Sequence, residues 1–132
     1  MDIRNVTENF SVSPQITESD VAKLAEAGFD TIICNRPDDE DYGQAGFAAI
    51  ERAAKDAGLA CHHVPVESGL FGPQHVAEMK SILEQSSGKV LAYCRSGTRS
   101  IMLWAFQEVN KRPRDEVVQI AANAGYDLSQ QL

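Results

Sequence analysis

The sequence predicts an α/β fold, in which helices flank a central, mostly parallel sheet of four or five strands. Short apolar runs alternate along the chain with stretches of helical period, which is the pattern of repeated strand and helix units. The chain has 132 residues, 43% of them apolar, and this is the usual size of one domain with its own core. No linker, repeat or low-complexity segment interrupts it, so we expect a single domain over residues 1–132.

Four short apolar runs predict the strands. Uninterrupted apolar and β-branched residues suit strands that are buried on both faces of a parallel sheet. The predicted strands are residues 9–13 at an edge of the sheet, 29–34, 59–66 and 89–94. Turn-forming residues bound them, such as Pro14 after the first strand and the segment ESGLFGP after the third.

Five stretches with apolar residues at helical spacing predict the helices. Thr17 and Asp20 can cap the start of the first helix, and Gly28 and Gly58 end the first and the second. Pro113 suits the first turn of the last helix. The predicted helices are residues 17–28, 47–58 and, with approximate ends, 73–88, 99–111 and 114–124.

Charge and hydropathy argue against several classes of partner. The formal net charge of −7 repels nucleic acid and anionic membranes, so we expect neither as a partner. The chain lacks a run of 18 apolar residues, and the segment MDIRNVTENF lacks the basic and apolar regions of a signal peptide. We therefore expect a soluble protein of the cytoplasm, while the oligomeric state has no signal in the sequence.

The three cysteines, Cys34, Cys61 and Cys94, form neither a CxxC motif nor a disulfide framework, and a reducing compartment would keep them as thiols. Cys34 and Cys61 fall within strands, where an inert core residue is the ordinary case. His62 and His63 follow Cys61 directly, and adjacent residues of a strand point to opposite faces. These three residues cannot ligate one metal ion together, so we expect neither a metal site nor a cofactor.

Cys94 differs from the other two cysteines because a small polar loop follows it. This loop joins the carboxyl end of the last strand to the amino end of a helix, which is where open α/β sheets bind ligands. Loop amides and the first turn of a helix form an anion-binding nest, and nearby guanidinium groups favour a thiolate. Cys94 is therefore the candidate nucleophile.

The neighbours of Cys94 have expected roles in the same site. Arg99 can present two parallel donors to a tetrahedral oxyanion, and Gly97 permits the positive φ that turns loop amides inward. Ser100 is expected to steady the thiolate by a hydrogen bond. Arg36 is expected to form a surface ion pair with neighbouring acids, and the alternative is that it closes the same pocket. Four loop residues are expected to bind the substrate: Arg95, Ser96, Gly97 and Thr98.

The segment CRSGTRS resembles the active loop of single-domain rhodaneses, in which an arginine follows the cysteine after four residues, as Arg99 follows Cys94. Three segments in order, SPQIT, GFDTIICNRPDDE and LAYCRSGTRS, together resemble the phosphatase-like domain family of bacterial β-lactamase hydrolase-like proteins, over nearly the whole chain. That family is also described as a sulfur transferase family. The resemblance implies a fold like that of cysteine-dependent tyrosine and dual-specificity phosphatases.

The loop departs from the phosphatase pattern of histidine, cysteine, five residues and arginine. Tyr93 replaces the histidine, and the loop is one residue shorter, so fewer amides can surround a phosphoryl group. A phosphatase also needs a general acid to protonate its leaving group. Five acidic residues are candidates, although the four consecutive ones also suit a solvated loop: Asp38, Asp39, Glu40 and Asp41 after the second strand, and Glu67 after the third.

Sulfur transfer does not require a general acid, because sulfite leaves thiosulfate without a proton, and the short loop need only surround the extra sulfur of a persulfide. The sequence therefore favours a sulfurtransferase that moves sulfane sulfur from thiosulfate or glutathione persulfide, through a persulfide on Cys94, to a thiol or cyanide. Two alternatives stay open. One is a phosphatase that hydrolyses phosphate esters through a phosphocysteine, and the other is a non-catalytic sensor of a small anion or a persulfide.

Overall fold

The structure, a computed structural model, describes residues 1–132 and contains one five-stranded sheet. The strands are β1 Arg4–Asn5, β2 Phe10–Ser13, β3 Phe29–Cys34, β4 Ala60–His63 and β5 Lys89–Tyr93. Their order across the sheet is β1-β2-β5-β3-β4, and every neighbouring pair is parallel except β1 with β2. The predicted α/β fold with a mostly parallel sheet is confirmed, and the strand that carries the cysteine loop is the central one.

Five helices flank the sheet, as predicted; the first three connect strands, and the last two follow β5. They are α1 Glu18–Glu26, α2 Phe47–Asp56, α3 Pro73–Gln85, α4 Thr98–Glu108 and α5 Arg114–Asn123. At the start of α1 the Thr17 N–H donates to the Asp20 carboxylate at 2.9 Å, which is the capping contact expected from their spacing. None of these helices has both the length and the apolar character that crossing a membrane requires.

Each face of the sheet is covered by its own set of helices, so the core has two halves. Leu91 and Tyr93 of β5 pack with buried residues of α1 and α2, such as Leu24 and Ile50. Residues of the opposite parity, Val90 and Ala92, pack with α3, α4 and α5 on the other face. Because both faces of the strand are buried, its sequence is an uninterrupted apolar run.

Three details differ from the expectations. Residues 9–13 do not form an edge, because β1 pairs antiparallel with β2 on its outer side. Arg4 and Asn5 of β1 are exposed and make only two pairings, so no apolar pattern marks this strand. The third predicted strand is shorter, since β4 ends at His63, and the fourth ends at Tyr93, which leaves Cys94 as the first loop residue.

Candidate active site

The loop between β5 and α4 is anchored to the neighbouring strand end. The N–H of Cys94 donates to the carbonyl of Ser13 at 3.4 Å, and the N–H of Gln15 donates to the carbonyl of Arg95 at the same distance. These contacts tie the loop to the last residue of β2 and to the segment that follows it. The loop thus lies at the carboxyl edge of the sheet, between a strand end and the first turn of a helix, as the sequence predicted.

The sulfur of Cys94 is buried and faces a backbone amide. The N–H of Gly97 donates to Cys94 Sγ at 3.1 Å, and Gly97 has φ of 90°, in the left-handed region, as the N-cap of α4. A side chain at Gly97 would collide with the hydroxyl of Tyr126, so glycine is required there both by its φ and by this close approach. An N–H aimed at a sulfur stabilises the anionic thiolate more than the neutral thiol.

Arg99, in the first turn of α4, is buried and held by three hydrogen bonds. Its Nη1 and Nη2 donate to the two carboxylate oxygens of Glu40, each at 2.8 Å, and Nη1 also donates to the carbonyl of Val66 at 2.8 Å. Hydrogen bonding to Glu40 raises the pKa of Arg99, and the nearby Cys94 contributes in the same direction. Of the five guanidinium N–H groups, Nε–H and one on Nη2 stay available, and together they form one edge with parallel donors.

Glu40 lies between two arginines. Besides the two bonds from Arg99, its Oε1 accepts a bond from Arg36 Nε at 2.9 Å. Hydrogen bonds from Arg99 and Arg36 lower the pKa of Glu40 from 4.5 to about 2, against a smaller opposing effect of burial. A carboxyl group that is ionised at every ordinary pH has no proton to give, so Glu40 is removed from the candidate general acids.

Arg36 pairs with neighbouring acids, as expected, but not at the surface, because its side chain is only 3% exposed. In addition to Glu40, it donates to Gln15 Oε1 at 3.0 Å and to Asp41 Oδ2 at 2.7 Å. It thereby joins the segment after β2 to the acidic loop after β3. The acidic loop is held against the site by buried arginines instead of being solvated along its whole length.

The other acids of that loop have separate positions. Asp38 accepts the N–H of Phe47 at 2.8 Å at the start of α2. Asp39 is exposed and has φ of 62°, in the left-handed region. Asp41 reaches the cysteine loop, since its Oδ2 lies 3.5 Å from Arg95 Nε.

Glu67 lies beside the backbone that holds Arg99. It follows Val66, whose carbonyl is bonded to Arg99, and its side chain is exposed, with no ion pair or hydrogen bond. The structure therefore brings Asp41 to the cysteine loop through Arg95, whereas Glu67 is next in the chain to the residue whose carbonyl holds Arg99. Asp38 and Asp39 have no contact with that loop.

The remaining predicted loop residues divide between solvent and interior. Arg95 is exposed, and Ser96 Oγ donates to Thr98 Oγ1 at 3.0 Å on the exposed side of the loop. Ser100 is buried, but its hydroxyl has no hydrogen-bond partner. The hydrogen bond that we expected from Ser100 to the sulfur of Cys94 is therefore absent from the structure.

Tyr126 is a site residue that sequence reasoning missed. It follows α5, and its hydroxyl donates to the carbonyl of Ser96 at 2.9 Å, across 30 positions of the chain. A tyrosine after a helix carries no local signal of such a contact.

The other two cysteines are unpaired thiols in the sheet. Burial raises the pKa of the Cys34 thiol and raises that of the Cys61 thiol to about 12. Both therefore stay as neutral thiols at ordinary pH, although only Cys34 belongs to the buried core and Cys61 is half-buried. The structure contains no cluster of three or more His, Cys, Asp or Glu side chains that is suited to a metal ion.

Comparison with known families gives one match over most of the chain. Residues 2–111 match the family described as "Beta-lactamase hydrolase-like protein, phosphatase-like domain". A beta-lactamase hydrolase-like protein of Xylella fastidiosa (strain Temecula1 / ATCC 700964) is 35% identical to this chain over 130 residues. Another, of Agrobacterium fabrum, is 27% identical to it over 125 residues. These alignments cover 97% and 93% of this chain but 30% and 29% of the relatives, so the chain spans less than a third of their length.

Solved structures agree on the fold. A putative phosphatase from Neisseria meningitidis is 38% identical, with a TM-score of 0.86 over 97% of this chain and 92% of that one. The active form of Tk-PTP is 17% identical, with a TM-score of 0.73 over 98% and 88% of the two chains. Kinase-associated phosphatase is 13% identical, with a TM-score of 0.72 over 93% and 82%. The expected resemblance to cysteine phosphatases in fold is confirmed.

Sulfur transfer, which the sequence favoured, is wrong as the expected reaction. The family model describes a phosphatase-like domain, and the chain superposes on phosphatases over nearly all its length. The cysteine-to-arginine spacing is a feature of one short loop, whereas these comparisons include the whole order of strands and helices. The expectation that thiosulfate or a persulfide is the substrate is therefore also wrong. The chain belongs to the phosphatase-like domain family of β-lactamase hydrolase-like proteins.

Proposed function

We propose that this domain is a cysteine-dependent phosphatase, which hydrolyses phosphate monoesters through a phosphocysteine on Cys94. The observation that carries the proposal is the position of the sulfur, which faces the Gly97 N–H at 3.1 Å beside the partly free guanidinium of Arg99. A thiolate with an adjacent oxyanion site is what nucleophilic attack on a phosphoryl group requires.

The phosphoryl group is bound by the parallel donors that Glu40 and Val66 leave available on Arg99. Two phosphoryl oxygens accept these N–H groups, in the two-point geometry that guanidinium groups form with tetrahedral anions. The remaining oxygen is bound at the first turn of α4, where unpaired backbone N–H groups and the positive end of the helix dipole favour an anion. In a chain with a net charge of −7, this positive site selects a compact dianion by local contacts instead of by a long-range field.

The reaction has two steps. The Cys94 thiolate attacks phosphorus, the bond from phosphorus to the ester oxygen breaks, and a general acid protonates the departing alkoxide or phenoxide. Water then attacks the phosphocysteine, the same carboxylate accepts its proton, and inorganic phosphate and the thiolate are released. The acid and the base are one group in its two protonation states.

Glu67 is the general acid of this proposal. Its backbone continues from the carbonyl that is bonded to Arg99, and its exposed side chain has no ion pair to break before it carries a proton. Asp41 is the next candidate by position, but its carboxylate is paired with Arg36 at 2.7 Å and lies 3.5 Å from Arg95. Protonated Asp41 would lose both ion pairs.

The test is hydrolysis of p-nitrophenyl phosphate and of phosphotyrosine and phosphoserine peptides by the purified protein, with Cys94→Ser as the matched inactive variant. We expect release of phosphate by the wild type only, and a mass increase of one phosphoryl group on Cys94 after rapid acid quench. Vanadate binding without any turnover would favour the non-catalytic anion sensor. Equal turnover by Cys94→Ser would overturn the proposal.

A further inference from the structure

One peptide unit of the cysteine loop is held at both of its polar ends. The carbonyl of Ser96 accepts the hydroxyl of Tyr126 at 2.9 Å, and the N–H of the same peptide, on Gly97, donates to Cys94 Sγ at 3.1 Å. A trans peptide is planar, and its C=O and N–H point in opposite directions. The bond that holds the carbonyl outward therefore also keeps the N–H on the sulfur.

Gly97 makes this restraint necessary. Glycine populates positive and negative φ about equally, so its own conformational preference does not fix the orientation of the preceding peptide. With the peptide rotated by half a turn, the carbonyl oxygen of Ser96 would face the thiolate, which is a repulsive arrangement. The hydroxyl of Tyr126 accounts for the one side-chain hydrogen bond to that carbonyl.

Tyr126 is itself well placed to act as a fixed donor. Its N–H donates to the carbonyl of Ala121 at 2.9 Å, at the end of α5, and Arg4 lies over its ring at 5.9 Å. The Arg4 guanidinium also donates to the carbonyl of Ala124 at 3.3 Å, which ties β1 to this segment. Burial raises the pKa of the Tyr126 phenol, so the hydroxyl keeps its proton throughout the range in which enzymes work.

We infer that Tyr126 is a positioning residue, which orients the Ser96–Gly97 peptide and thereby keeps its N–H on the Cys94 thiolate. The expected effect of Tyr126 on catalysis rests on the proposed function. Its expected effect on the reactivity of the Cys94 sulfur does not. Tyr126 does not touch the reacting atoms in this scheme. It acts through one backbone amide, from a segment that lies outside residues 2–111 matched by the family model.

The test compares Tyr126→Phe with Tyr42→Phe, a matched control at a fully exposed tyrosine. The rate at which iodoacetamide alkylates Cys94 is measured from pH 5 to pH 10 by mass spectrometry of the Cys94 peptide. For Tyr126→Phe we expect the rate at pH 7 to fall about 3- to 10-fold, with the profile displaced to higher pH, as for one lost hydrogen bond. The Tyr42→Phe profile should match the wild type.

The substitution leaves the other ionisable groups near the sulfur, Arg99 on α4 and Cys34 on β3, in place. Thermal unfolding and kcat/KM for p-nitrophenyl phosphate are measured on the same preparations. A lowered unfolding temperature with an unchanged alkylation profile would mean that Tyr126 is only structural, and would overturn the inference. If the wild type hydrolyses no phosphate ester and the alkylation profile still shifts, the proposed function fails while the positioning role stands.

Discussion

Arg99 and Glu40 form a two-point ion pair across 59 positions of the chain, with both nitrogen-to-oxygen distances at 2.8 Å. The pair fastens the loop after β3 to the first turn of α4. It also fixes the plane of the guanidinium, because two parallel bonds and the bond to the Val66 carbonyl leave it no rotation. The edge that stays available is therefore oriented before any ligand arrives, at no further cost in side-chain entropy.

Replacement of Arg99 by lysine should cost far more activity than its retained charge suggests. An ammonium group cannot bond to Glu40, Val66 and an oxyanion with the planar geometry of guanidinium. Loss of one charge-assisted donor at such a site costs about 2.7–4 kcal/mol, so kcat/KM for p-nitrophenyl phosphate should fall roughly 10²- to 10³-fold. The measurement is steady-state kinetics, with thermal unfolding as a check on folding.

Arg95→Lys is the matched comparison for that variant. Arg95 is 67% exposed, and its one ion pair, with Asp41, is 3.5 Å long, so lysine can supply the same field. We expect a loss below about 3-fold, since exposed pairs of this kind contribute little. Equal losses in the two variants would show that the oxyanion clamp has been assigned to the wrong arginine.

Glu40 should make the stability of the fold depend on acid pH. The pKa of Glu40 is about 2 in the folded chain, below its ordinary 4.5, because of its two arginines. The unfolded chain therefore binds a proton first as pH falls. The stabilising contribution is complete above about pH 4.5, and it is lost progressively as pH falls toward 2.

Urea unfolding of the wild type and of Glu40→Gln at pH 3, 5 and 7 measures this contribution. At pH 7 we expect the variant to be less stable by about 1–3 kcal/mol, since Arg99 and Arg36 keep only part of their bonds. The difference should be the same at pH 5 and smaller at pH 3. A difference that does not change between pH 7 and pH 3 would contradict the ion-pair assignment.

The elements that the sequence predicted well are those with a local signal. Buried strands such as β5 are continuous apolar runs, helix ends carry caps such as Thr17, and the cysteine loop lies at a strand end followed by a helix. What it did not predict depends on pairing across the chain. β1 consists of two exposed residues, which carry no apolar pattern. Glu40 is bonded to Arg99, 59 positions away, and Ser96 to Tyr126, 30 positions away, and no local pattern in the sequence links these residues.

The reaction was mispredicted for a related reason. The loop from Cys94 to Arg99 is one residue shorter than the phosphatase pattern, and this length by itself favours sulfur transfer. The length of the loop does not determine which N–H groups face the anion. The orientation of the Arg99 guanidinium also matters, and a side chain from outside the loop sets it. In this chain that side chain is Glu40, which appeared from sequence to be one of four solvated acids.

Tyr93→Phe should leave the fold intact, although the position precedes the candidate nucleophile. Tyr93 is fully buried, and its hydroxyl has no hydrogen-bond partner, while burial strongly raises its pKa. Removal of an unsatisfied buried hydroxyl is neutral or stabilising, by about 0–1 kcal/mol. Leu91→Ala, on the same face of β5, should by contrast cost about 2–5 kcal/mol through the cavity that it leaves. Urea unfolding of both variants measures these free energies. A loss above about 1 kcal/mol in Tyr93→Phe would contradict the expectation, and would mean that the hydroxyl has a hydrogen-bond partner, for which the neighbouring Cys34 thiol is the candidate.

The assignment of Glu67 as general acid predicts a particular dependence on the leaving group. p-Nitrophenolate is a stable anion and needs little protonation as it departs, whereas an alkoxide from a phosphoserine peptide needs a full proton transfer. Glu67→Gln should therefore lower kcat/KM for the phosphoserine peptide by about 10²- to 10⁴-fold and leave that for p-nitrophenyl phosphate nearly unchanged.

Asp41→Asn is the control for that leaving-group test, because it removes the carboxylate that lies against the cysteine loop at Arg95. Asp41 accepts bonds from Arg36 and lies near Arg95, so its loss should perturb binding of any phosphate ester. We expect a modest decrease, of similar size for the activated and the alkyl substrate, since the effect is on ground-state and transition-state binding alike. If Asp41→Asn instead shows the selective loss with the alkyl ester and Glu67→Gln does not, the acid is Asp41, and its ion pair with Arg36 at 2.7 Å must open during the reaction.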